Sequence, residues 1–301
     1  MILAALEELV PGEYVEDASM AQNTSFRIGG PADILVTPSS DAKIAAVLCL
    51  VQKHKLPLLV MGNGSNLLVR DKGIRGIVLK TSGLKEVTRE GNKVRAGAGM
   101  LLGALAQKTA GWGLSGLEFA SGIPGTVGGA VVMNAGAYGG EMVQIIQAVF
   151  ALTPNGEQVT IPKEKLELSY RHSIFQTDAY KGYIVTGVEF LLQSRDIEAI
   201  KADIDDYTKR RLTKQPVDLP SAGSMFKRPQ GYFAAALIEG AGLKGFTIGG
   251  AQVSPKHAGF VVNVGGATAA DVIALVKAVQ AKVLAAKGVT LEPEVKIVGE
   301  E

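Results

Sequence analysis

Apolar side chains recur at two spacings along the 301 residues, and the switches between them mark out the elements. Ile44, Val47, Leu48 and Val51 stand at i, i+3, i+4 and i+7, which predicts an amphipathic helix over 41–55, stopped by Pro57. The same period predicts helices after Gly99 (Leu101, Leu102, Leu105, Ala106, ending at Gly111), over 196–212 (Ile197, Ile200, Ile204, Tyr207) and over 233–239. A last helix opens at Thr268, an N-cap with Asp271 three residues on, and runs through Val272, Val276, Val279 and Val283 to Gly288. Met1 to Val10 reads as a first helix. Short apolar runs bounded by turn residues predict strands at 32–37, 58–61, 67–69, 77–79, 85–88, 93–96, 143–152, 158–161, 183–192, 251–253, 259–264 and 289–298. Pro154-Asn155-Gly156-Glu157 is a hairpin turn.

Composition changes this picture in one respect, glycine. Thirty-seven glycines are about 12% of the chain, against about 7% on average, and they gather in loops without a fixed period. That suits a protein whose loops wrap an extended ligand. Thirty-one basic and twenty-nine acidic residues leave a net charge of +2, too little for a general nucleic-acid surface. The first helix carries Glu7 and Glu8 and lacks a basic start, unlike a signal peptide, and no apolar run is long enough to span a bilayer; a cytoplasmic protein is expected. Cys49, the one cysteine, falls in a helical apolar pattern and is expected to be a packed thiol. His54, His172 and His257 are scattered, so no metal site is predicted.

The densest glycine stretch is GIPGTVGGAVVMNAGAYGG, residues 122–140. Glycines at this density let backbone N–H groups approach an anion with no Cβ in the way, as in a phosphate cradle; a tight turn between buried elements is the plainer alternative. A second polar glycine loop, Gly62-Asn63-Gly64-Ser65-Asn66, joins two strand-like runs. It lacks the Gly-Lys-Ser/Thr ending of a Walker loop and the third glycine of a dinucleotide fingerprint. Gly97-Ala98-Gly99 also imitates that fingerprint, but Leu102 stands where the third glycine belongs. Further along, Arg171 in SYRHSIF is either part of a solvated loop or a two-pronged holder of a carboxylate. Ser224 lies in the polar loop SAGSMFKRP. Glu294 in LEPEV either faces water or is a buried acid with a raised pKa and a chemical task.

The stretches NTSFRIGGPAD, MGNGSNLLVRD, SGIPGTVGGAVVMNAGAYG, SYRHSIF, SAGSMFKRP, GLKGFTIGGAQVSPKHAGFVVN and LEPEV occur in collinear order over nearly the whole chain. Together they resemble the UDP-N-acetylenolpyruvoylglucosamine reductase family of bacterial peptidoglycan synthesis. The resemblance implies an α+β fold: a two-subdomain FAD-binding unit of the vanillyl-alcohol-oxidase/PCMH type plus a C-terminal α+β substrate-binding domain. The expected division is 1–80 and 81–195 for the FAD subdomains, with 291–301 returning to the first, and 196–290 for the substrate domain.

The resemblance also implies non-covalent FAD, NADPH as reductant and a monomer. The reaction it implies adds hydride from reduced flavin N5 to the methylene carbon of the enolpyruvyl ether of UDP-N-acetylglucosamine-enolpyruvate, giving UDP-N-acetylmuramate. Arg171 and Glu294 would face the carboxylate that takes up the developing charge, a protonated Glu294 implying a raised pKa. Ser224 would then supply the proton. FAD contacts fall on Arg27, Gly62, Asn63, Gly64, Ser65, Asn66, Leu67, Gly122, Thr126, Val127, Asn134, Ala135 and Gly136; substrate contacts fall on Tyr170, Lys227 and Arg228. Val217-Asp218-Leu219 and Ala235-Ala236 depart from the family's usual residues, and the short segment after Tyr170 matches the subtype without an extra tyrosine-bearing loop. A FAD-dependent oxidase of an alcohol or sugar on the same scaffold is the alternative.

Overall fold

The computed structural model describes residues 2–301 and divides the chain into two compact, interleaved units. The first comprises residues 1–16, 34–63 and 76–209, the second 17–33, 64–75 and 210–301. These boundaries cross those of the three-part division: the helix Ile197–Lys214 lies in the first unit as far as Lys209.

The first unit is built on a five-stranded antiparallel sheet in the order Gln158–Pro162, Ile146–Leu152, Ile184–Leu191, Lys93–Gly97, Val87–Glu90. Thr153 and Glu157 close the hairpin between its first two strands, with Gly156 at φ 82°. Leu58–Met61 pairs in parallel with residues 77–80. Apolar faces of the helices Asp41–His54 and Leu102–Gly111 join Val94, Val149, Val188 and Phe190 of the sheet in one core. Ser40 caps the helix Asp41–His54 by accepting the Lys43 N–H, and Lys55 ends it in the left-handed region. Ile44, Val47, Leu48 and Val51 are buried as their spacing requires. Cys49, expected inside, is exposed, because it stands on the helix's outer face with Ala42, Gln52 and Lys53.

The second unit holds an antiparallel sheet in the order Ser221–Ser224, Phe260–Asn263, Ala251–Val253, Thr247–Ile248. Its long helix, Ala269–Lys287, begins with a reciprocal capping box between Thr268 and Asp271 and ends at Gly288 in the left-handed region. Asp71 adds a second cap, its two carboxylate oxygens accepting the N–H groups of Ala269 and Ala270 at 2.8 and 3.0 Å. The chain's last strand, Lys296–Val298, pairs in parallel with Leu67–Val69. The strand expected over 289–298 is shorter because Pro293 has no N–H; residues 291–295 are held instead by single bonds and one bridge to Phe226. Phe26, Leu68, Phe226, Val272, Leu291 and Val295 share this unit's core.

Candidate active site

In the first unit the two glycine loops meet. Asn63 Nδ2 donates to the carbonyl of Pro124 at 2.7 Å, tying residues 62–63 to the 122–126 bend. A Cβ at Gly62 would lie 2.2 Å from Thr126 Oγ1, so the backbones approach as closely as they do only because Gly62 has no side chain. Thr126, 1% exposed, also caps the short helix Val127–Val132 by accepting the Gly129 N–H at 3.4 Å. Ser121 Oγ, at the head of the same bend, is buried and has no hydrogen-bond partner among the described residues. A donor orphaned beside a glycine bend is what a phosphate or ribose hydroxyl would satisfy, so the residues present fit a dinucleotide such as FAD. Ser121 was missed in the sequence, although its position directly before Gly122 was the available signal.

Downstream, Asn134 sits in the left-handed region at φ 39° and Tyr138 at φ 54°. The Tyr138 ring stacks on Tyr207, with centroids 4.7 Å apart and planes 2° from parallel. The Asn134 side chain is occupied within the protein: Nδ2 donates to Glu141 Oε2 and to the carbonyl of Ser169, both at 3.1 Å, and Oδ1 accepts the Val143 N–H at 3.0 Å. Ser169 and His172 exchange backbone hydrogen bonds, which places Tyr170 and Arg171 at the corner of a two-residue turn. Arg171 holds φ 55° there, and its guanidinium lies 5.1 Å from the Tyr170 ring centroid.

The second unit gathers the remaining residues. Arg27, at φ 55°, is exposed between buried Phe26 and Ile28. Asn263 Nδ2 lies 3.4 and 3.5 Å from the Phe26 and Arg27 carbonyls, and Ser25 Oγ donates to the carbonyl of Ser221 at 2.7 Å. Gly29 and Gly30 lie flush against Val69 and Asp71, where added Cβ atoms would come within 2.5 and 2.1 Å. Their role is packing. The Gly64 carbonyl accepts the Ser25 N–H, and Asn66 Nδ2 donates to the Glu294 carbonyl at 3.3 Å. Leu67, the last of the loop's candidate contacts, pairs with Lys296.

Ser224 and Glu294 come together in this unit. Ser224 ends an edge strand opposite Phe260, and residues 225–227 run antiparallel to 292–294: Glu294 N–H donates to the Met225 carbonyl at 2.9 Å and Lys227 N–H to the Glu292 carbonyl at 2.8 Å. The Ser224 side chain is exposed and makes no hydrogen bond among the described residues, which sets it apart from the turn hydroxyl usual in Ala-Gly-Ser. Lys227 Nζ pairs with Glu292, and the Arg228 guanidinium lies 4.7 Å from the ring centroid of exposed Phe233. His257, on the loop before Phe260, has its pKa lowered by burial, and its Nδ1 accepts the Gly259 N–H at 3.1 Å. No metal-binding group of three or more His, Cys, Asp or Glu forms among the described residues, and none of their helices is long and apolar enough to cross a membrane.

Residues 32–162, which carry both glycine loops, match the FAD binding domain family, and this places the α+β chain among the FAD-binding proteins. Residues 215–298 match the family described as UDP-N-acetylenolpyruvoylglucosamine reductase, C-terminal domain. The chain belongs to the UDP-N-acetylenolpyruvoylglucosamine reductase family. It is 49% identical to the protein of that name from Clostridium novyi, over 98% of this chain and 96% of the relative. It is 50% identical to that from Alkaliphilus oremlandii, over 99% and 97%. A crystal structure of UDP-N-acetylenolpyruvylglucosamine reductase from Thermus caldophilus matches with a TM-score of 0.81 and 36% identity, covering 95% of this chain and 98% of that one.

Proposed function

We propose that this chain catalyses the NADPH-dependent reduction of UDP-N-acetylglucosamine-enolpyruvate to UDP-N-acetylmuramate in the cytoplasm, as a step of peptidoglycan precursor synthesis. The observation that carries the reading is the pairing of segments 225–227 and 292–294, which sets an exposed, unbonded Ser224 hydroxyl beside the segment bearing Glu294, inside the family-matched C-terminal domain. Bound FAD would supply the hydride that reaches the methylene carbon.

The residues of the chain do the rest. Negative charge then builds on the α-carbon and its carboxylate, and Arg171 with a protonated Glu294 stabilises it by donating hydrogen bonds to the carboxylate oxygens. Ser224 gives its proton to the α-carbon, and its exposure lets water restore that proton. Gly62, Asn63, Gly64, Ser65, Asn66, Leu67, Gly122, Thr126, Val127, Ala135 and Gly136, with Arg27 and Ser121, hold the dinucleotide, mainly through backbone groups; Asn134, which the resemblance put among them, has its side chain taken up by Glu141, Ser169 and Val143 and leaves only its backbone to the cofactor. Lys227 and Arg228 meet the diphosphate of the sugar nucleotide, and Tyr170 borders the substrate.

The test separates the half-reactions. Anaerobic NADPH should bleach the yellow protein, and mixing with the enolpyruvyl sugar nucleotide in a stopped-flow instrument should restore the colour. Ser224→Ala should leave bleaching intact and slow recolouring by about 10²–10⁴-fold, the usual weight of a positioned proton donor. Equal slowing of both phases would make Ser224 structural. The C-terminal match leaves the oxidase alternative without support.

A further inference from the structure

We infer that Asn134 is a positioning residue for Arg171: it acts as a hook that fixes the Tyr170–Arg171 turn to the end of the flavin-loop helix. The inference deepens the function proposed above and rests on it for the role of Arg171, though not for the hook itself. Asn134 is 1% exposed, and its side chain spends both amide hydrogens and its oxygen on protein atoms. A residue so occupied has no side-chain donor to offer a cofactor. One of its donors goes to the carbonyl of Ser169, the first residue of the turn.

Neighbouring bonds have the same address. Ser173 Oγ and Gln176 Nε2 both donate to the Val132 carbonyl, at 2.8 and 2.7 Å, and Gln176 Nε2 also reaches the Arg171 carbonyl at 3.0 Å. Residues 132–134 thus grip the 169–176 segment at three points around Arg171. The grip has strain to resist, because both Asn134 and Arg171 occupy the left-handed region, where a side chain other than glycine persists only if its surroundings hold it. Asparagine suits position 134 twice over, since it tolerates that backbone and carries two donors on a short stem.

Two variants and two readouts test this. Asn134→Gly keeps the backbone conformation and deletes the hook; Asn134→Asp keeps the shape and turns both donors into acceptors. Trypsin, which cuts after Arg171, reads the order of the turn without any enzyme activity. Each variant should be cut there about five-fold faster or more, the weight of one net hydrogen bond, with other sites unchanged. FAD affinity of the apoprotein, from flavin fluorescence, and bleaching by NADPH should stay within about two-fold, while recolouring by substrate should slow by about 10²-fold, the cost of a misplaced reacting group. Added to Arg171→Met, Asn134→Gly should slow recolouring no further.

Adding Glu141→Gln to Asn134→Asp restores a donor toward position 141 but none toward Ser169, so it should recover thermal stability and leave the turn's cleavage fast. Unchanged cleavage after Arg171, a loss of FAD affinity in its place, or recovery of the turn by Glu141→Gln would each overturn the assignment. Should wild-type reduced protein fail to recolour with the sugar nucleotide, the functional reading falls, and the cleavage rates still decide whether Asn134 holds the turn.

Discussion

Gly62→Ala isolates the close approach of the two glycine loops. The Gly62 φ lies outside the left-handed region, so alanine is conformationally permitted and the penalty is steric alone. Its Cβ would sit 2.2 Å from Thr126 Oγ1 but 3.4 Å from Thr126 Cβ and Cγ2, so one buried hydroxyl carries the clash. Overpacking of this kind costs about 1–3 kcal/mol. Apoprotein that can splay its loops registers the cost as weaker FAD binding, up to about 150-fold; apoprotein that cannot registers it as lost stability. The sum of the two losses is the invariant. It follows from urea unfolding of apoprotein combined with a flavin fluorescence titration. Thr126→Ala removes the clashing oxygen and, with it, the helix cap, at a cost of about 0.5–2 kcal/mol. In that background Gly62→Ala should add little. A summed loss below about 0.5 kcal/mol for Gly62→Ala alone, or full additivity with Thr126→Ala, would refute the contact as the source of the requirement for glycine.

Three further outcomes are expected. Arg171→Gly relieves a left-handed arginine worth about 1–2 kcal/mol while loosening the unfolded chain by about 0.5–1 kcal/mol, so the urea midpoint should hardly move while turnover collapses; a large stability loss would make Arg171 a packing residue. Glu292→Gln releases Lys227 from an exposed ion pair worth about 0.2–1 kcal/mol, which should lower KM for the sugar nucleotide by about 1.5–5-fold; a raised KM would remove Lys227 from the phosphate contacts. Burial depresses the His257 pKa, so between that value and the ordinary one of about 6.5 the unfolded chain binds a proton that the folded chain does not. Stability should therefore fall as pH drops from about 6.5, and His257→Gln should flatten the fall in urea midpoints measured from pH 8 to 5; an unaltered slope places the titration elsewhere.

The periodic helices were legible because their buried faces recur at fixed spacing: Ile44, Val47, Leu48 and Val51 are inside as read, and Thr268 with Asp271 forms the expected box. Periodicity places a face, though, and not a single residue near its edge, which is why Cys49 lies outside. The helix Val127–Val132 was hidden by glycines at 128 and 129, whose low propensity is offset by the Thr126 cap and by packing against Ala98. Gly29-Gly30 forms a packing surface for the strand ahead of Asp71, a role no local pattern shows because it depends on contacts about forty residues away. Left-handed arginines at 27 and 171 carry no sequence signal at all, since nothing in the residue type favours that conformation. Their turns impose it. Local pattern says nothing of pairings between distant segments, so the interleaving of the two units was not legible in it; the return of residues 291–301 toward 1–80 was expected from the family resemblance alone.

The parallel pairing of Lys296–Val298 with Leu67–Val69 has a consequence for biogenesis. On a ribosome adding about 5–20 residues per second, Leu67 waits on the order of ten to forty seconds for its partner to be made, and emergence from the exit tunnel takes longer still. The segment that follows the first glycine loop is therefore an open edge throughout translation, and the glycine loop it anchors matures only after chain release. Clipping the last few residues of the nascent product should leave that edge open for good.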